Sequence, residues 1–394
     1  MKTSWTRIEG AVTAPRGFRA AGLAAGIKDN GKKDIALIVS DVPATVAATF
    51  TTNQVKAAPV RLCMQHVKSG KACAIVANSG NANACTKDGP VHARAMACAV
   101  ARRLGCAENH VLVCSTGRIG VNLPIVKVEA GIKQLLGALS SRGGSAAAEA
   151  IMTTDTFPKE VAVQFKTGGK TIRIGGIAKG AGMIQPNMAT MLSFFTTDAA
   201  LPRAALQNAL TRAVNKSFNR ISVDGDTSTN DTVILLANGV AGKVSLAPFQ
   251  EALEHVCLEL ARMIVRDGEG VSKFVTINVH GAMSDRDAEI AARAVANSVL
   301  VKTSWCGGDP NWGRILDALG YSRARVEQDR VDIAYDGVLA AQGGMAARTP
   351  LAKLKKVVAQ PAFTIDIHLH LGRGQCTMHT CDLTEKYVEL NKGE

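Results

Sequence analysis

The chain has 394 residues, of which 47% are hydrophobic and 20% charged, and this ordinary globular composition excludes a disordered protein. Its 46 Lys and Arg against 33 Asp and Glu give a net charge of +13, which is typical of proteins that bind nucleic acids. However, no basic run exceeds two residues, and only three Trp and three Tyr are present to stack on bases. We therefore predict a protein of two or three layered units without a nucleic-acid partner.

The same sequence argues against a membrane or secreted location. The longest uncharged stretch, Gly180–Thr197, contains Gly182 and Pro186, which do not suit a lipid-facing helix. The N-terminus has no apolar core of a secretory signal before Arg16. The ten cysteines are scattered without a CxxC pair, which favours reduced, buried thiols in the cytoplasm.

Apolar runs separated by turn residues predict alternating strands and helices in the first half of the chain. The predicted strands are Asp34–Ser40, Thr45–Thr51, Ala72–Ala77 and Val111–Cys114, and a hairpin of residues 161–165 and 171–178. The predicted helices are one that has Pro90 near its first turn, includes 95–104 and stops at Gly105, then Leu123–Leu139 and Ser145–Thr153. The polar blocks at 78–86 and 115–120 are predicted as loops.

The alternation continues to the C-terminus. Further strands are predicted at Met191–Thr197, Thr232–Ala237, Lys273–His280 and Arg330–Tyr335, with helices near 202–214, 247–265 and 284–300. Two last strands, Phe363–Leu371 and Gln375–Leu383, are predicted as a hairpin around Gly372–Gly374. The pattern predicts an α/β (α+β) protein of layered sheets and helices.

Metal-binding residue types are concentrated in the C-terminal hairpin. They are His368, His370, Cys376, His379 and Cys381. A zinc site would suit such a face, but a half-solvated strand explains the same alternation of histidines and apolar residues. We therefore predict no metal.

Two polar blocks are interpreted as structural. Asp309, Asn311 and Arg314 are predicted to cap and anchor the helix that follows them. The acidic run from Asp224 to Asp231 lacks the pattern of a calcium-binding loop, and we predict turns and caps there.

The Ala189–Thr190 junction has a chemistry of its own. Thr190 follows a glycine- and proline-containing loop and opens an apolar strand. Its hydroxyl could attack the preceding carbonyl in an N-to-O acyl shift that releases a chain beginning with Thr190. The new α-amine, with a reference pKa near ~7.7–8, would suit a general base for that hydroxyl. A Thr at the start of a strand is equally typical of plain structure, so these residues alone leave both interpretations open.

Seven blocks, in order along the chain, resemble the ornithine acetyltransferase (glutamate N-acetyltransferase) family. They are NSGNANACT at 78–86, STGRIG at 115–120, MTTDT at 152–156, KGAGMIQPNMATML at 179–192, SVDGDTSTNDT at 222–232, DGEG at 267–270 and GGDPNWGRI at 307–315. The resemblance runs from the start of the chain to about Asn391. It implies a layered, N-terminal-nucleophile-like fold of the ornithine acetyltransferase and aminopeptidase type, with a C-terminal α/β unit.

The resemblance also implies self-cleavage between Ala189 and Thr190. The products would be an α chain, 1–189, and a β chain, 190–394, that stay together as a heterotetramer of two α and two β chains. Thr190 would be the nucleophile, and Thr116 with Gly117 would form the oxyanion hole. Substrate contacts would come from Thr153, Lys179, Thr190, Glu269 and Asn391. Family chains run on past this asparagine to a terminal Thr or Ser, whereas this chain ends in NKGE.

The implied reaction is a ping-pong acetyl transfer in arginine biosynthesis. Acetyl would pass from N2-acetyl-L-ornithine to Thr190 and then to L-glutamate, without a metal or organic cofactor. Some family members also accept acetyl-CoA as a co-substrate, and the resemblance leaves this second activity open. The alternative is a related N-terminal-nucleophile aminopeptidase that transfers its acyl group to water.

The proposed cut also divides the charge. Residues 1–189 hold 24 Lys and Arg against 10 Asp and Glu, or +14, and residues 190–394 hold 22 against 23, or −1. A basic α chain would therefore steer anionic substrates such as glutamate towards the enzyme.

Overall fold

The computed structural model describes residues 5–185 and 191–392, so the predicted cleavage site, Ala189–Thr190, lies outside the described residues. The chain divides into two compact units. The first is Met1–Asn219 with Asp226–Ile264, and the second is Arg220–Gly225 with Val265–Glu394. Among the described residues, none of the helices combines the length and the apolar composition that crossing a membrane requires.

The first unit is built on one large sheet. Its strands are β1 (Trp5–Ile8), β2 (Phe18–Leu23), β3 (Ile35–Phe50), β4 (Lys71–Asn81), β5 (Val111–Arg118), β6 (Lys159–Thr167), β7 (Lys170–Lys179), β8 (Leu192–Ala200) and β9 (Thr232–Lys243). Its helices are α1 (Ala58–His66), α2 (Gly89–Leu104), α3 (Ile125–Ala138), α4 (Gly144–Ala150), α5 (Arg203–Lys216) and most of α6 (Leu246–Arg266). The strand order is β1-β6-β7-β8-β9-β3-β4-β5, and β2 pairs with β3.

The middle of this sheet is buried on both faces, which explains its continuous apolar runs. On β4, Ile75 packs in a cluster with residues of α4, whereas the next residue, Val76, packs in another cluster with α2 and α3. On β5, Leu112 and Val113 divide in the same way. The predicted layers of sheet and helix are therefore confirmed.

Two boundaries in this unit differ from the sequence prediction. The two strands predicted on either side of residue 43 form one strand, β3, whose pairing with β4 is irregular between Val39 and Ala44. Pro43 lies in this irregular stretch, where its missing N–H breaks no regular ladder. The blocks predicted as loops at 78–86 and 115–120 begin as strand, because the parallel pairing of β4 and β5 continues through Gly80 and Gly117.

The second unit has a smaller, six-stranded sheet within the described residues. Its strands are β10 (Phe274–Ala282), β11 (Asp332–Tyr335), β12 (Val338–Gln342), β13 (Met345–Ala346), β14 (Ala362–His368) and β15 (Gly374–Cys381), in the order β13-β12-β11-β14-β10-β15. Its helices are α7 (Asp285–Asn297), α8 (Val299–Cys306), α9 (Trp312–Tyr321), α10 (Leu351–Val358) and α11 (Glu385–Leu390). One face of the sheet packs on α7 through Val275, Ile277 and Val279.

The predicted C-terminal hairpin is wrong. β14 and β15 are not neighbours, because β10 lies between them and pairs parallel with β14 and antiparallel with β15. His370 instead contacts Asp332, and His379 contacts Thr276. No group of three or more His, Cys, Asp or Glu side chains able to hold a metal ion occurs in residues 5–185 and 191–392.

Local predictions in the second unit are mixed. The predicted helix 284–300 is two helices, because Ser298 ends α7 and its hydroxyl accepts from Val301 N to cap α8. Asn311 caps α9 as predicted, accepting from Arg314 N at 3.1 Å.

The cysteines depart from the prediction of reduced, buried thiols at Cys85 and Cys306, which are exposed, and at one pair in the first unit. Cys73 of β4 and Cys106, just after α2, form a disulfide, with their Cα atoms 7.2 Å apart. Cys63, Cys114 and Cys257 are buried thiols, as expected. The 33-residue separation of the bonded pair gives no local motif, so the sequence offered no signal for it.

Candidate active site

Two of the family-like blocks meet where β4 and β5 end. In the parallel register, Ser79 pairs with Thr116 and Gly80 with Gly117. Ser115 Oγ donates to Asn78 Oδ1 at 2.6 Å and locks the two strand ends together. Ligands of α/β sheets commonly bind at the carboxyl ends of parallel strands. This edge of the sheet is therefore the candidate active site.

A third block reaches the same edge. Asn230 Nδ2 donates to Ala82 O at 2.7 Å and to Ser115 O at 2.8 Å. Both acceptors lie in or directly after the two strand ends, and Asn230 is buried. The polar run at 222–232 thus fixes the residue before Thr116 and the residue after β4, a role that the sequence prediction of turns and caps did not identify.

Position 117 requires glycine. Gly117 has φ of 131°, and a Cβ there would lie 2.3 Å from the carbonyl carbon of Gly80. No side chain fits such a contact with backbone, and few L residues adopt that φ. Gly117 itself is exposed and Thr116 is half-buried, so the pair faces outward from a rigid base. A fixed hydroxyl next to a fixed backbone amide suits stabilisation of an oxyanion.

Lys179 lies at the end of β7 and is buried. Its Nζ donates to Thr116 Oγ1 at 3.4 Å, which brings a predicted substrate contact to the predicted oxyanion hole. Because a lysine only donates, the hydroxyl of Thr116 accepts from it and keeps its own proton for another acceptor. The structure therefore joins two residues that are 63 positions apart in the chain.

Thr153 belongs to the loop between α4 and β6, where Asp155 binds the surrounding backbone. Asp155 Oδ2 accepts from Thr153 N at 2.9 Å, and Oδ1 accepts from Gly180 N at 2.7 Å and from Lys159 Nζ at 2.6 Å. Burial opposes ionisation of this carboxyl, but the Lys179 and Lys159 cations outweigh it and lower the pKa of Asp155 to about 2.

Met191 is the first described residue after the predicted cleavage site. Its N–H donates to Asp231 Oδ1 at 2.8 Å, and its carbonyl accepts from Thr232 N at 3.1 Å. Asp231 is buried, and this burial raises the pKa of its carboxyl well above the ordinary value, against the opposing effect of the Met191 hydrogen bond.

Glu269 and Asn391 lie together in the second unit. Asn391, at the end of α11, donates from Nδ2 to Glu269 Oε2 at 2.8 Å and to Tyr387 O at 2.9 Å. Gly270, which follows Glu269, contacts the N-terminal cap of α11, since Thr384 Oγ1 donates to Gly270 O at 2.6 Å. The structure thus brings these two predicted substrate contacts together within their own unit.

Sequence reasoning missed three residues of the candidate site: Asp155, Asn230 and Asp231. Each lies inside a block that the resemblance had marked, MTTDT or SVDGDTSTNDT, so a signal was present. Their roles did not follow from it because their partners lie 25, 115 and 40 positions away, respectively.

Comparison with known proteins adds independent findings. A family model described as the ArgJ family matches residues 19–393. An "Arginine biosynthesis bifunctional protein ArgJ" from Geobacter sulfurreducens is 52% identical over 95% of this chain and 98% of its own length. A "Glutamate N-acetyltransferase" from Methanocaldococcus jannaschii is 46% identical over 98% of each chain. A crystal structure of arginine biosynthesis bifunctional protein ArgJ from Bacillus halodurans matches with TM-score 0.50 and 40% identity, over 52% of this chain and 100% of that chain.

Proposed function

The chain belongs to the ArgJ family, and from that premise we propose that it transfers acetyl from N2-acetyl-L-ornithine to L-glutamate in arginine biosynthesis. Arginine biosynthesis is named in the Geobacter relative, and glutamate acetylation in the Methanocaldococcus relative. The substrates are therefore small molecules. One structural observation carries the proposal: Lys179 Nζ lies 3.4 Å from Thr116 Oγ1. This contact lies where β4 and β5 approach so closely that only glycine fits at position 117.

The precursor first cleaves itself. Thr190 Oγ attacks the carbonyl carbon of Ala189, the C–N bond between the two residues breaks, and the hydroxyl proton passes to the released nitrogen. Water then hydrolyses the ester and frees the Thr190 hydroxyl. β8 begins at Leu192 and pairs on one side with β7 and on the other with β9. The new N-terminus would therefore lead into a strand held on both sides.

Two observations support a division of the chain at this point. The Bacillus halodurans chain is covered in full although it matches only 52% of this chain, and residues 190–394 are 205 of 394, the same 52%. In the large sheet, β8 and β9 of the proposed β chain lie between β7 and β3 of the proposed α chain. Such pairing would hold the two chains together after the cut.

The acetyl transfer then uses the freed residue. The α-amine of Thr190 takes the Oγ proton while Oγ attacks the acetyl carbonyl carbon of N2-acetylornithine. The hydroxyl of Thr116 and the N–H of Gly117 donate to the oxyanion, and Lys179, by donating to Thr116, leaves the threonine proton directed there. The C–N bond breaks, and ornithine leaves with the proton. The glutamate amine attacks the Thr190 ester next, which yields N-acetylglutamate and the free hydroxyl.

The remaining predicted contacts have complementary chemistry. Lys179 is a cation for a substrate carboxylate, and Glu269 is an anion for a substrate amino group. Asn391 already donates to Glu269, so it orients that carboxylate and supplies a further polar group. Thr153 completes the set, with its backbone fixed by Asp155.

The proposed assembly is a heterotetramer of two α and two β chains. The interleaved strands of the large sheet support the αβ pair, and native mass spectrometry would measure the number of copies. The biosynthetic names of the relatives support a cytoplasmic location.

A denaturing gel and an acetyl-transfer assay test the proposed function. We expect two bands, with one chain ending at Ala189 and the other beginning with Thr190, and equal amounts of ornithine and N-acetylglutamate. T190A should abolish cleavage and transfer, whereas T190S, which keeps a hydroxyl, should retain part of both. A single uncut chain with full activity would refute the mechanism.

The same assay separates the alternatives. Hydrolysis of N-acyl or peptide substrates without transfer to glutamate would instead favour the aminopeptidase. Replacing N2-acetylornithine by acetyl-CoA tests whether the enzyme also accepts acetyl-CoA as the acetyl donor for glutamate. The Geobacter relative is named bifunctional, and the Methanocaldococcus relative is named for one activity.

A further inference from the structure

Asp155 connects two separate segments that each carry a proposed substrate contact. Its carboxylate binds Thr153 N, two residues before it, and Gly180 N, which follows Lys179 at the end of β7. The two hydrogen bonds use different oxygens, Oδ2 and Oδ1. A single carboxylate therefore fixes the distance between the 153 loop and the end of β7.

The negative charge of this carboxylate is neutralised by a buried lysine. Lys159 Nζ donates to Asp155 Oδ1 at 2.6 Å, and both side chains have no exposed surface. Burying such a pair costs desolvation free energy that its attraction often only offsets, so an ion pair here is weak evidence for stability alone. Its location between two site segments suggests a different reason for keeping it.

We propose that Asp155 is a positioning residue for acetyl transfer, holding Thr153 and Lys179 at the separation that the acetyl donor requires. Asp155 acts through backbone: it holds Gly180, and Gly180 is bonded to Lys179, whose Nζ reaches Thr116 Oγ1. The inference rests on the proposed function, because that function makes Thr153 and Lys179 substrate contacts.

The test uses the full-length, cleaved enzyme carrying D155N together with K159M. The side-chain amide in D155N has one acceptor oxygen, so it cannot accept from both Thr153 N and Gly180 N through separate oxygens as the carboxylate does. K159M removes the buried cation that D155N alone would leave unpaired. The double variant therefore separates loss of positioning from loss of folding.

Asp198 offers a matched control in the same sheet. Its fully buried carboxylate also binds a strand backbone, Arg173 N at 2.9 Å, and a cation, Arg16 Nε at 3.0 Å. Arg173 lies on β7, six residues before Lys179, so about 20 Å of strand separates the control from the candidate site. D198N with R16Q disturbs a similar structural contact without touching a proposed substrate position.

We expect D155N/K159M to raise the KM for N2-acetylornithine by about 10-fold or more and to lower kcat/KM by about 10- to 100-fold, as misplacement of a binding group does. D198N/R16Q should leave both values within about 2-fold of wild type. Wild-type kinetics in folded D155N/K159M, or equal losses in both double variants, would overturn the proposal.

Calorimetric titration with L-ornithine keeps this test distinct from the proposed function. If wild type binds ornithine but transfers no acetyl group, the proposed function fails. The affinity of D155N/K159M relative to wild type still decides the positioning role: a loss of about 10-fold or more supports it, and unchanged affinity refutes it. If wild type does not bind ornithine, both proposals fail.

Discussion

Two buried aspartates, Asp155 and Asp231, bind backbone N–H groups on either side of the predicted cleavage site. Folding shifts the pKa values of their carboxyls in opposite directions. Asp155 binds Gly180 N, before the site, and Asp231 binds Met191 N, after it. Lysines lower the pKa of Asp155 to about 2 despite burial, whereas burial raises the pKa of Asp231 well above its ordinary value. The same residue type is thus a fixed anion at one end and a carboxyl that favours its neutral form at the other.

The difference follows from what surrounds each carboxyl. Asp155 accepts hydrogen bonds from three donors, including a buried ammonium. In Asp231, Oδ1 accepts from Met191 N, but Oδ2 has no hydrogen-bond partner among the described residues. The Thr51 hydroxyl lies beside this carboxyl and opposes the rise in its pKa, and it also donates to Ser228 O at 2.8 Å. Burial alone therefore does not set the charge of a buried carboxyl, because nearby cations, here Lys179 and Lys159, can outweigh it.

The largest effect on stability should come from removing only one partner of the Asp155–Lys159 ion pair. D155N leaves the Lys159 ammonium buried beside a neutral amide and should lower the free energy of unfolding by about 3–5 kcal/mol at neutral pH. K159M should cost less, because Asp155 keeps its two backbone donors and the nearby Lys179 charge. Urea unfolding at neutral pH measures both variants.

The pH dependence of this effect has a defined sign. Because the folded-state pKa of Asp155 is lowered, its contribution to stability is present above the unfolded-state value of ~3.9 and is lost as pH falls towards the folded value of about 2. The difference between wild type and D155N should therefore shrink in acid. A difference that is constant from neutral pH to about pH 3 would contradict the charged state assigned to Asp155.

Asp231 should show the opposite sign and a smaller effect. The amide in D231N keeps an oxygen for Met191 N, so this substitution removes the ionisable group with little change in shape. Since the folded-state pKa is raised, the contribution of Asp231 is full below the unfolded value and is lost as pH rises through the folded value. D231N should therefore gain stability relative to wild type as pH rises from acid to alkaline, by about 1.4 kcal/mol for each unit by which the folded-state pKa exceeds the unfolded value.

Thermal unfolding at several pH values measures this gain. D198N is its control, since Asp198 is also buried but contacts a cation, Arg16. A constant difference between D231N and wild type would show that folding does not raise the pKa of Asp231.

Much of the fold was predictable because its signals are local. α2 has Pro90 in its first turn and is capped by Gly105, which has a φ of 66°, and β6 and β7 form the predicted hairpin. The C-terminal strands could not be paired correctly, since a short glycine turn favours a hairpin and nothing in the local pattern reveals that β10 inserts between β14 and β15. Pairing between distant strands is decided by the whole sheet.

The residues of the candidate site show the same difference between local signals and long-range contacts. Gly117, Lys179 and Thr153 were found through the family resemblance, and the structure places the first two at strand ends of the first unit and Thr153 in the loop between α4 and β6. Asp155 and Asp231 were not found, because a lone carboxylate in a polar loop gives no indication of whether it faces solvent, a lysine or a distant N–H. Only the tertiary contacts distinguish a surface turn from a buried anchor.

The smallest expected effect tests what keeps Asp155 ionised: the direct contact with the Lys159 ammonium, or the summed electrostatic field of the surrounding cations. Lys28 is half-buried and interacts electrostatically with Asp155, but its Nζ donates to the carbonyls of Lys33 and Met152 at 2.8 Å rather than to the carboxylate. Burial lowers the pKa of Lys28, so the fold already disfavours its charge, although Asp34 and Asp155 oppose this effect.

If contact decides, K28M should change the acid-dependent part of stability by only about 0.5 kcal/mol, whereas K159M changes it several-fold more. Paired acid titrations of the two variants, monitored by tryptophan fluorescence, measure this ratio directly. Equal effects would mean that the summed positive charge of the region sets the state of Asp155. The contrast with Asp231 would then reflect distance from that region rather than the absence of a bound ammonium.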